Sequence, residues 1–374
     1  MLIVFLFSLI LLVFSIINLV TSLFSFKPEK HPKTRKYPFV TIVVRTWDDG
    51  HIVERFIRHI FAQNYKGKIQ LIIADDASRD NTGKICKKYR GKITYVRAKK
   101  HHEKKAEFLN KVIKKYAKGE ILINTDIDAI MPTNWVKNLV SHFKKGVHAV
   151  CGPAYSGNYP NWLSKIRVIE DFWFFSSGMW ARYNITGTAA TYGSNHAIRM
   201  ETLKKIGYYG TKTLTEDAEL TIELWKRGYK IEMCPRAFVL VEAVSDTKSF
   251  IRERKRWIIG TLKTGMQIKK PFLPSFLFGV NVLAGFISML GFFSLFPVLI
   301  FIINSVAIAL SLLSFRAKSS FLFWVPVFMF AGTFLNMLAF FGALRDMFGK
   351  GVKWVKVEGK KYHIGVDLTP PLEL

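Results

Sequence analysis

The 374-residue chain has few acidic residues and few cysteines, and both shortages limit what it can be. Only 27 Asp and Glu residues face 55 Lys and Arg residues, so the formal net charge at pH 7 is +28. The three cysteines, Cys86, Cys151 and Cys234, are odd in number and far apart, and no two form a Cys-x-x-Cys pair. This spacing indicates neither a disulfide framework nor a zinc site, and it agrees with a reducing cytoplasm.

Charge is missing altogether from three apolar stretches, residues 1–26, 275–315 and 321–344. A membrane span needs ~20 apolar residues, so the first stretch predicts an anchor, the second two helices and the third one more. A cleaved signal peptide is the weaker interpretation of the first stretch, because it lacks leading basic residues and a small-residue cleavage site. Four candidate spans follow from these lengths.

The excess of basic residues has two explanations. Nucleic-acid-binding proteins use Lys and Arg for phosphate contacts, but no nucleic-acid-binding motif accompanies them here. Anionic lipids attract basic segments at ~1 kcal/mol per charge, which is the simpler explanation. The positive-inside rule then predicts the basic segment 27–36 in the cytoplasm. Three further crossings would leave the tail from Arg345 outside, against the same rule. Either one C-terminal segment is re-entrant or interfacial, or the tail is external, and we favour a cytoplasmic tail.

Between Phe39 and Val244, short β-branched runs alternate with amphipathic stretches, which predicts a mostly parallel sheet flanked by helices. The predicted strands are 40–44, 69–74, 93–96 and 120–124. The predicted helices are about 52–63, one from Thr82 and about 104–117. The acidic pairs Asp75-Asp76 and Asp126-x-Asp128 thus follow strands, at the edge where such sheets bind ligands.

These acidic groups suggest separate kinds of chemistry. Asp126 and Asp128 suit Mg²⁺ or Mn²⁺, which would neutralise a departing nucleoside diphosphate. One carboxylate of Asp75-Asp76 could accept a hydrogen bond from a base N–H or a ribose hydroxyl, while Ser78 or Asp80 caps the next helix. Thr215-Glu216-Asp217 precedes a helical stretch. It is either a cap with acidic first-turn residues or the position of a catalytic base.

Two further patterns lie among basic residues. Residues 248–266 place five large side chains on one helical stripe, namely Phe250, Trp257, Ile258, Leu262 and Met266. This predicts an amphipathic helix lying on the membrane. His101-His102 has no matching ligand partners in the sequence, so we interpret it as a solvated or acceptor-side loop and not as a metal site.

In the order of these motifs, roughly from residue 40 to 257, the chain resembles membrane-integrated glycosyltransferase family 2, which includes hyaluronan, chitin and cellulose synthases and ceramide glucosyltransferase. The resemblance implies an α/β GT-A fold with a Rossmann-like, mostly parallel sheet and α-helical transmembrane segments. It implies a nucleotide-sugar site formed by Thr46, Trp47, Asp49, Asp75, Asp76, Lys105, Asp126, Arg256 and Trp257.

The resemblance also implies the catalytic groups. Asp126 and Asp128 would hold Mg²⁺ or Mn²⁺, and Asp217, beside Glu216, would serve as base. The loop with Asn195 and His196 would lie on the acceptor side.

Three positions depart from the family pattern: Arg45 replaces a proline, Lys104 a glycine, and Glu253 the glutamine of Gln-x-x-Arg-Trp.

The implied function is inverting transfer of a sugar from a UDP-sugar to a hydroxyl acceptor at the cytoplasmic membrane face. Synthesis of a β-linked polysaccharide is the first expectation, with UDP-GlcNAc as the first guess for the donor. Transfer of one sugar to a lipid, of the ceramide or polyprenyl-phosphate type, is the alternative, and a non-catalytic sugar-nucleotide-binding protein is the third. Membrane lipids and a second copy of the chain are further expected partners, and nucleic acid is not.

Five regions are predicted along the chain. They are a transmembrane anchor (1–26), a cytoplasmic catalytic domain (27–245), an amphipathic interfacial helix region (246–273), C-terminal transmembrane helices (274–344) and a basic tail (345–374).

Overall fold

A computed structural model describes residues 2–30, 32, 36–266, 295–348 and 371 of the chain. The part of the predicted span 275–315 that precedes residue 295 lies outside these residues. The predicted tail beyond Phe348, apart from residue 371, lies outside them as well.

A seven-stranded sheet lies at the centre of the α/β part, in the order β3-β2-β1-β4-β7-β5-β8. The strands in chain order are β1 (Val40–Thr46), β2 (Ile69–Asp75), β3 (Thr94–Arg97), β4 (Ile121–Thr125), β5 (Val147–Cys151), β6 (Ala154–Ser156), β7 (Asn195–Arg199), β8 (Lys230–Met233) and β9 (Val239–Val241). Strand β7 is antiparallel to both its neighbours, and β6 and β9 form a separate parallel pair. The predicted α/β fold with a mostly parallel sheet is confirmed.

The first four predicted strands are confirmed, with boundary shifts of no more than two residues. The Val, Ile and Leu runs of β1, β2 and β4 form strands because parallel strands in such a sheet are buried on both faces, whereas the edge strand β3 is partly exposed. Every residue of β1 and of β4 is buried. The register pairs Thr46 with Asp75 and Thr125 with Asn195, so the loops after β1, β2 and β4 and before β7 share one edge.

Thirteen α-helical segments are present in the described residues. In chain order they are α1 (Leu2–Leu23), α2 (Val53–Phe61), α3 (Thr82–Lys88), α4 (Lys105–Tyr116), α5 (Trp135–Ser141), α6 (Trp162–Trp173), α7 (Arg182–Thr186), α8 (Met200–Lys205), α9 (Glu216–Lys226), α10 (Thr247–Met266), α11 (Leu295–Ser314), α12 (Val325–Val327) and α13 (Thr333–Phe348). Short 3₁₀ segments cover Phe24–Phe26 and Ser319–Trp324, and π-helical segments cover Phe174–Ala181 and Phe328–Gly332. The predicted helices α2, α3 and α4 are confirmed.

Two helical segments of the described chain, Leu9–Phe26 and Ser319–Met347, are long and apolar enough to cross a membrane. A shorter apolar helix covers Val298–Ser314. Helix α1 packs along α11, where Asn304 Nδ2 donates to Ser15 Oγ at 2.9 Å and Ser25 Oγ donates to Ser314 Oγ at 2.8 Å. Small polar side chains suit such close packing of apolar helices.

The π-helical segment Phe174–Ala181 joins the α/β part to these apolar helices. Trp180 Nε1 donates to the backbone oxygen of Lys27 at 3.0 Å, just after α1. Ser177 Oγ lies 2.5 Å from Ser311 Oγ on α11. The two parts of the molecule are therefore in direct contact and do not depend on a flexible tether alone.

Helix α10 exists as predicted, but protein covers much of its apolar face. Ile258 and Ile259 pack against Ala339 and Ala343 of α13, and Phe250 is buried. This corrects the prediction that the whole stripe lies on the membrane. The sequence pattern is the same in both cases, because a helix shows one apolar face whether lipid or protein covers it.

Candidate active site

The acidic motifs form two clusters at the shared edge of the sheet. The Asp76 cluster consists of Arg45, Asp76, His101 and His102, and it lies after β1 and β2. The Asp126 cluster consists of Lys105, Asp126, Ser194, Glu216 and Asp217, and it lies between β4 and the loop before β7.

The Asp76 carboxylate is fully buried and engaged by protein donors. Arg45 Nε donates to it at 3.0 Å, and His102 Nδ1 lies 2.7 Å from its other oxygen. His101 Nδ1 lies 3.0 Å from Asp76 Oδ2. The His101 ring stacks on the ring of Trp47, with 3.9 Å between the two centroids. Burial alone would raise the pKa of Asp76, but Arg45 and His102 outweigh it and hold the pKa below its ordinary value. Arg45, where the family has proline, thus serves as the counter-ion of this carboxylate.

Asp75 and Asp49 shape the loops around this cluster. Asp75 Oδ1 accepts from the backbone N–H of Ser78 at 2.8 Å, and its Oδ2 accepts from the Tyr95 hydroxyl. Asp49 Oδ2 accepts from Thr46 Oγ1 at 3.0 Å and from the backbone N–H of Trp47 at 2.9 Å. Four residues predicted to bind nucleotide are therefore buried at the ends of β1 and β2 or just after them, namely Thr46, Asp49, Asp75 and Asp76. Trp47 keeps part of its surface accessible.

The Asp126 cluster is more open. The carboxylate of Asp126 is 38% exposed, and Lys105 Nζ lies 2.7 Å from its Oδ1 and 3.5 Å from Glu216 Oε1. Ser194 Oγ donates to the other oxygen of Asp126 at 2.6 Å. Burial would lower the pKa of Lys105, but attraction from Asp126 and Glu216 outweighs it and raises the pKa above its ordinary value.

The antiparallel strand β7 explains how Ser194 and Gly193 reach this cluster. Its first residues lie beside the last residues of β4, where Asn124 Nδ2 donates to the Gly193 oxygen and Thr125 Oγ1 to the Ser194 oxygen, both at 2.8 Å. A parallel strand at this place would begin at the opposite edge. The sequence motif did not single out Ser194 or Gly193 for this role.

Asp217 is held by backbone donors. Gly193 N–H donates to its Oδ2 at 2.8 Å and Ala218 N–H to its Oδ1 at 2.9 Å. A Cβ on Gly193 would lie only 3.2 Å from Asp217 Oδ2, so glycine allows this close approach. Burial, and then the charge of Glu216, raises the pKa of Asp217 to about 6. A fixed carboxylate with such a pKa is suited to accept a proton near neutral pH.

The donor set of the Asp126 cluster fits a hard divalent cation. Asp126 and Asp128 follow β4 within one turn, and both offer carboxylate oxygens of the kind that Mg²⁺ and Mn²⁺ prefer. The cluster already attracts a cation, since the ammonium of Lys105 lies against Asp126. Asp128 is buried, and Arg55 Nη2 donates to its backbone oxygen at 3.4 Å.

Asn195 and His196 lie within the sheet, and their predicted position on the acceptor side stays a prediction. Both are fully buried on β7. Asn195 Nδ2 donates to the backbone oxygens of Pro153 at 2.9 Å and Ala237 at 2.6 Å. His196 Nε2 lies 2.8 Å from the Tyr209 hydroxyl, and burial lowers the pKa of His196 to about 4. Their polar atoms bind the sheet to its surroundings because β7 lies in the middle of the sheet.

The Arg256-Trp257 region contains a buried charge network. Two guanidinium groups lie over the Trp257 ring, that of Arg254 at 4.5 Å from the ring centroid and that of Arg167 at 5.1 Å. Arg254 is buried and paired with Glu170. Burial would lower the pKa of Arg167, but the charges of Asp171, Glu170 and Glu253 outweigh it and raise the pKa. Glu253, at the position where the family has glutamine, therefore acts on a nearby positive charge.

Helix α10 also contacts the segment that leads into Glu216-Asp217. A Cβ on Gly260 would lie 2.3 Å from Thr215 Cγ2, so only glycine permits this packing. Thr215 precedes α9, but its side chain makes no capping hydrogen bond. Arg256 is partly buried on α10, and its predicted contact with diphosphate stays a prediction.

Comparisons with known proteins agree with this arrangement. Residues 41–207 match the family model described as glycosyl transferase family 2. The "Probable glycosyltransferase YdaM" of Bacillus subtilis (strain 168) is 25% identical over 247 residues, 62% of this chain and 57% of the relative. The "Beta-monoglucosyldiacylglycerol synthase" of Trichormus variabilis is 26% identical over 233 residues, 60% of this chain and 49% of the relative.

The "Poly-beta-1,6-N-acetyl-D-glucosamine synthase" of Staphylococcus aureus (strain COL) is 24% identical over 225 residues, 59% of this chain and 54% of the relative. The chain spans about half the length of these curated relatives. Among solved structures, a mannosyltransferase from Pyrobaculum calidifontis in complex with GDP-Man and Mn²⁺ has a TM-score of 0.61 at 17% identity. The match covers 92% of this chain and 99% of that one, so the two share a fold.

Proposed function

We propose that the chain, whose residues 41–207 match the glycosyl transferase family 2 model, transfers a sugar from a UDP-sugar to a hydroxyl acceptor. In this proposal the transfer inverts the anomeric centre, uses a divalent metal and takes place at the cytoplasmic face of a membrane. One observation carries this proposal most directly. Asp126, Lys105, Glu216 and the backbone-held Asp217 meet at the carboxyl edge of β4, which combines a cation site with a base of raised pKa.

The chemistry follows from the positions of these groups. Asp217 takes the proton of the acceptor hydroxyl, and the oxygen forms a bond to the anomeric carbon as the bond to the diphosphate breaks. The electron pair of the broken bond leaves with the nucleoside diphosphate, and no covalent intermediate on the enzyme is needed. Asp126 and Asp128 would hold Mg²⁺ or Mn²⁺, which supplies positive charge to the leaving group.

Other residues of the chain bind and orient the donor in this proposal. Lys105 and Arg256 would contact the diphosphate as cations, and Trp257 would lie near the sugar. Trp47 offers an aromatic face to the nucleotide, supported by the stacked ring of His101. The buried carboxylates Asp75 and Asp76 would act mainly by fixing the shape of this pocket. Positioning and charge stabilisation would supply most of the rate acceleration.

The membrane part of the proposal rests on the apolar helices. The outward face of α1 exposes large apolar side chains, namely Leu9, Ile10, Val13, Ile16, Ile17 and Val20. Such a face is unfavourable in water and is suited to lipid. We propose residues 1–26 as the anchor, 27–245 as the catalytic domain, and the helices within 274–344 as further membrane segments. In this arrangement the domain works at the membrane surface.

Two acceptors fit this arrangement. Extension of a β-linked polysaccharide is the first proposal, supported by the Staphylococcus aureus relative named as a poly-β-1,6-N-acetyl-D-glucosamine synthase. Transfer of one sugar to a lipid is the second, supported by the Trichormus variabilis relative named as a β-monoglucosyldiacylglycerol synthase. The active site described above serves both, because each acceptor presents a hydroxyl to Asp217.

Product analysis tests the proposal. Membranes containing the full chain are incubated with Mn²⁺ and radiolabelled UDP-GlcNAc, UDP-glucose or GDP-mannose, and the products are separated by size and by extraction into organic solvent. We expect a UDP-sugar to give long polymer, or, in the second case, one sugar on an extractable lipid. If none of the donors is transferred or hydrolysed, while a known glycosyltransferase expressed in the same membranes is active, the proposed function is wrong.

A further inference from the structure

We propose that Lys105 is a built-in counter-ion that makes metal binding at Asp126 depend on the diphosphate of the donor. The inference rests on the proposed function, because it places the divalent cation at Asp126. It goes further in assigning Lys105 two successive partners, the carboxylates of the ligand-free site and then the nucleoside diphosphate.

The first step is the geometry of the ligand-free cluster. The ammonium of Lys105 lies 2.7 Å from Asp126 Oδ1 and 3.5 Å from Glu216 Oε1. The charge of Asp217 also acts on it. Three carboxylates thus share this ammonium, which offsets the repulsion between them. The half-exposed Asp126 is the member that a cation from solution can reach.

The second step is the anchoring of Lys105 and its neighbours. Lys105 is the first residue of α4, and its side chain is largely buried. The preceding Lys104 points elsewhere, with Nζ donating to the backbone oxygen of Thr211 at 2.5 Å. On the same helix, the Lys114 ammonium lies over the Tyr208 ring, 4.7 Å from its centroid. Of these three lysines, Lys105 is the one that contacts the carboxylates.

The third step is competition for one carboxylate. A divalent cation on Asp126 would stand next to the ammonium of Lys105 and be repelled by it, strongly so in a partly buried site. A nucleoside diphosphate removes this conflict, because its negative oxygens give the ammonium a new partner. Metal and diphosphate therefore each improve the binding of the other, and by linkage the two effects are equal.

The test measures Mn²⁺ affinity of the purified full-length protein, from the electron paramagnetic resonance signal of free Mn²⁺, without and with saturating UDP. For the wild type we expect UDP to tighten Mn²⁺ binding by about 10-fold or more, within the ordinary range of coupling between sites. In Lys105→Met, Mn²⁺ alone should bind about 10-fold tighter than in the wild type, and the factor by which UDP tightens Mn²⁺ binding should be smaller than in the wild type, because only the direct attraction between metal and diphosphate remains. Lys105→Arg should keep the coupling, and Lys114→Met, on the same helix, should behave as the wild type.

The outcomes separate this inference from the proposed function. If the wild type binds neither Mn²⁺ nor UDP, the proposed function fails and the inference with it. If Mn²⁺ and UDP bind but UDP leaves Mn²⁺ affinity of the wild type unchanged, the inference alone is wrong, whether or not Lys105→Met folds. Coupling that persists at full size in a folded Lys105→Met protein also overturns it.

Discussion

The Asp76 cluster and the Asp126 cluster look alike in sequence, since each centres on an acidic motif after a strand, but they differ in how their charges are satisfied. Asp76 is fully buried and bonded to Arg45 and His102. Asp126 is 38% exposed, and it shares the ammonium of Lys105 with Glu216. The first carboxylate has fixed partners, whereas the second can change them.

This difference indicates a division of work between stability and chemistry. A buried carboxylate with a complete set of partners contributes to folding, and removing it leaves those partners uncompensated. A crowded group of carboxylates around one lysine costs folding energy and is typical of a functional site. The following three predictions test this division, in order of decreasing expected effect.

Replacement of the base should have the largest effect. We expect Asp217→Asn to lower kcat by about 100- to 10,000-fold, the usual contribution of general base catalysis, while the protein still folds. The pKa of Asp217 is raised to about 6, and only the ionised carboxylate accepts a proton. The activity of the wild type should therefore fall as the pH drops through about 6. Unchanged turnover in Asp217→Asn would show that another group is the base.

Substitution of Asp76 should lower the stability of the folded protein. Asp76→Asn removes the charge partner of buried Arg45, so the free energy of unfolding should fall by about 3–5 kcal/mol. Asp126→Asn is the matched control. It removes both the attraction to Lys105 and the repulsion from Glu216, and Lys105 keeps Glu216 as a partner, so unfolding should be nearly unchanged while activity is lost. Denaturant unfolding followed by tryptophan fluorescence measures both. The division of work would be contradicted if Asp126→Asn were the less stable of the two.

Removal of the hydrogen bond between Tyr95 and Asp75 should have the smallest effect. Tyr95→Phe leaves Asp75 Oδ2 without the Tyr95 hydroxyl, which should cost about 1–2 kcal/mol of unfolding free energy. Transfer rates measured below the unfolding temperature should change less than threefold, roughly the effect of 0.6 kcal/mol. A large fall in kcat with unchanged stability would instead place Asp75 in the chemistry.

Much of the fold could be predicted from the sequence because the signals are local. The Val, Ile and Leu runs of β1, β2 and β4 and the apolar spacing of α2 are clear local patterns, and burial of most of those residues follows directly. The placement of Asp126 could be predicted as well, since a motif after a strand lies at the edge of a parallel sheet. The place of Asp217 beside it could not, because Thr215-Glu216-Asp217 precedes a helix and both a cap and a base fit that pattern.

The partners of these residues could not be predicted, because they depend on how distant segments pack. Arg45 and Asp76 are brought together only by the register of β1 and β2. Ser194 and Gly193 reach the Asp126 cluster because β7 runs antiparallel between β4 and β5. For the same reason the burial of the polar pair Asn195 and His196 on β7 does not follow from their sequence motif.

The membrane-side prediction for α10 was wrong in part for a related reason. A helical stripe does not state what covers it, and here Ile258 and Ile259 face α13 while Arg254 is buried against Glu170. A charged residue within a buried face becomes acceptable only when its partner comes from elsewhere in the chain.

The central claim is that the Asp126 cluster is a metal-dependent catalytic site. The most direct test removes divalent metal from the purified full-length protein with EDTA, restores Mn²⁺, and measures release of nucleoside diphosphate from the UDP-sugar identified by product analysis, in the wild type and in Asp126→Asn. The account predicts that Mn²⁺ restores the activity of the wild type and that Asp126→Asn stays at least about 100-fold slower. Activity that resists EDTA, or that is equal in the two proteins, would contradict it.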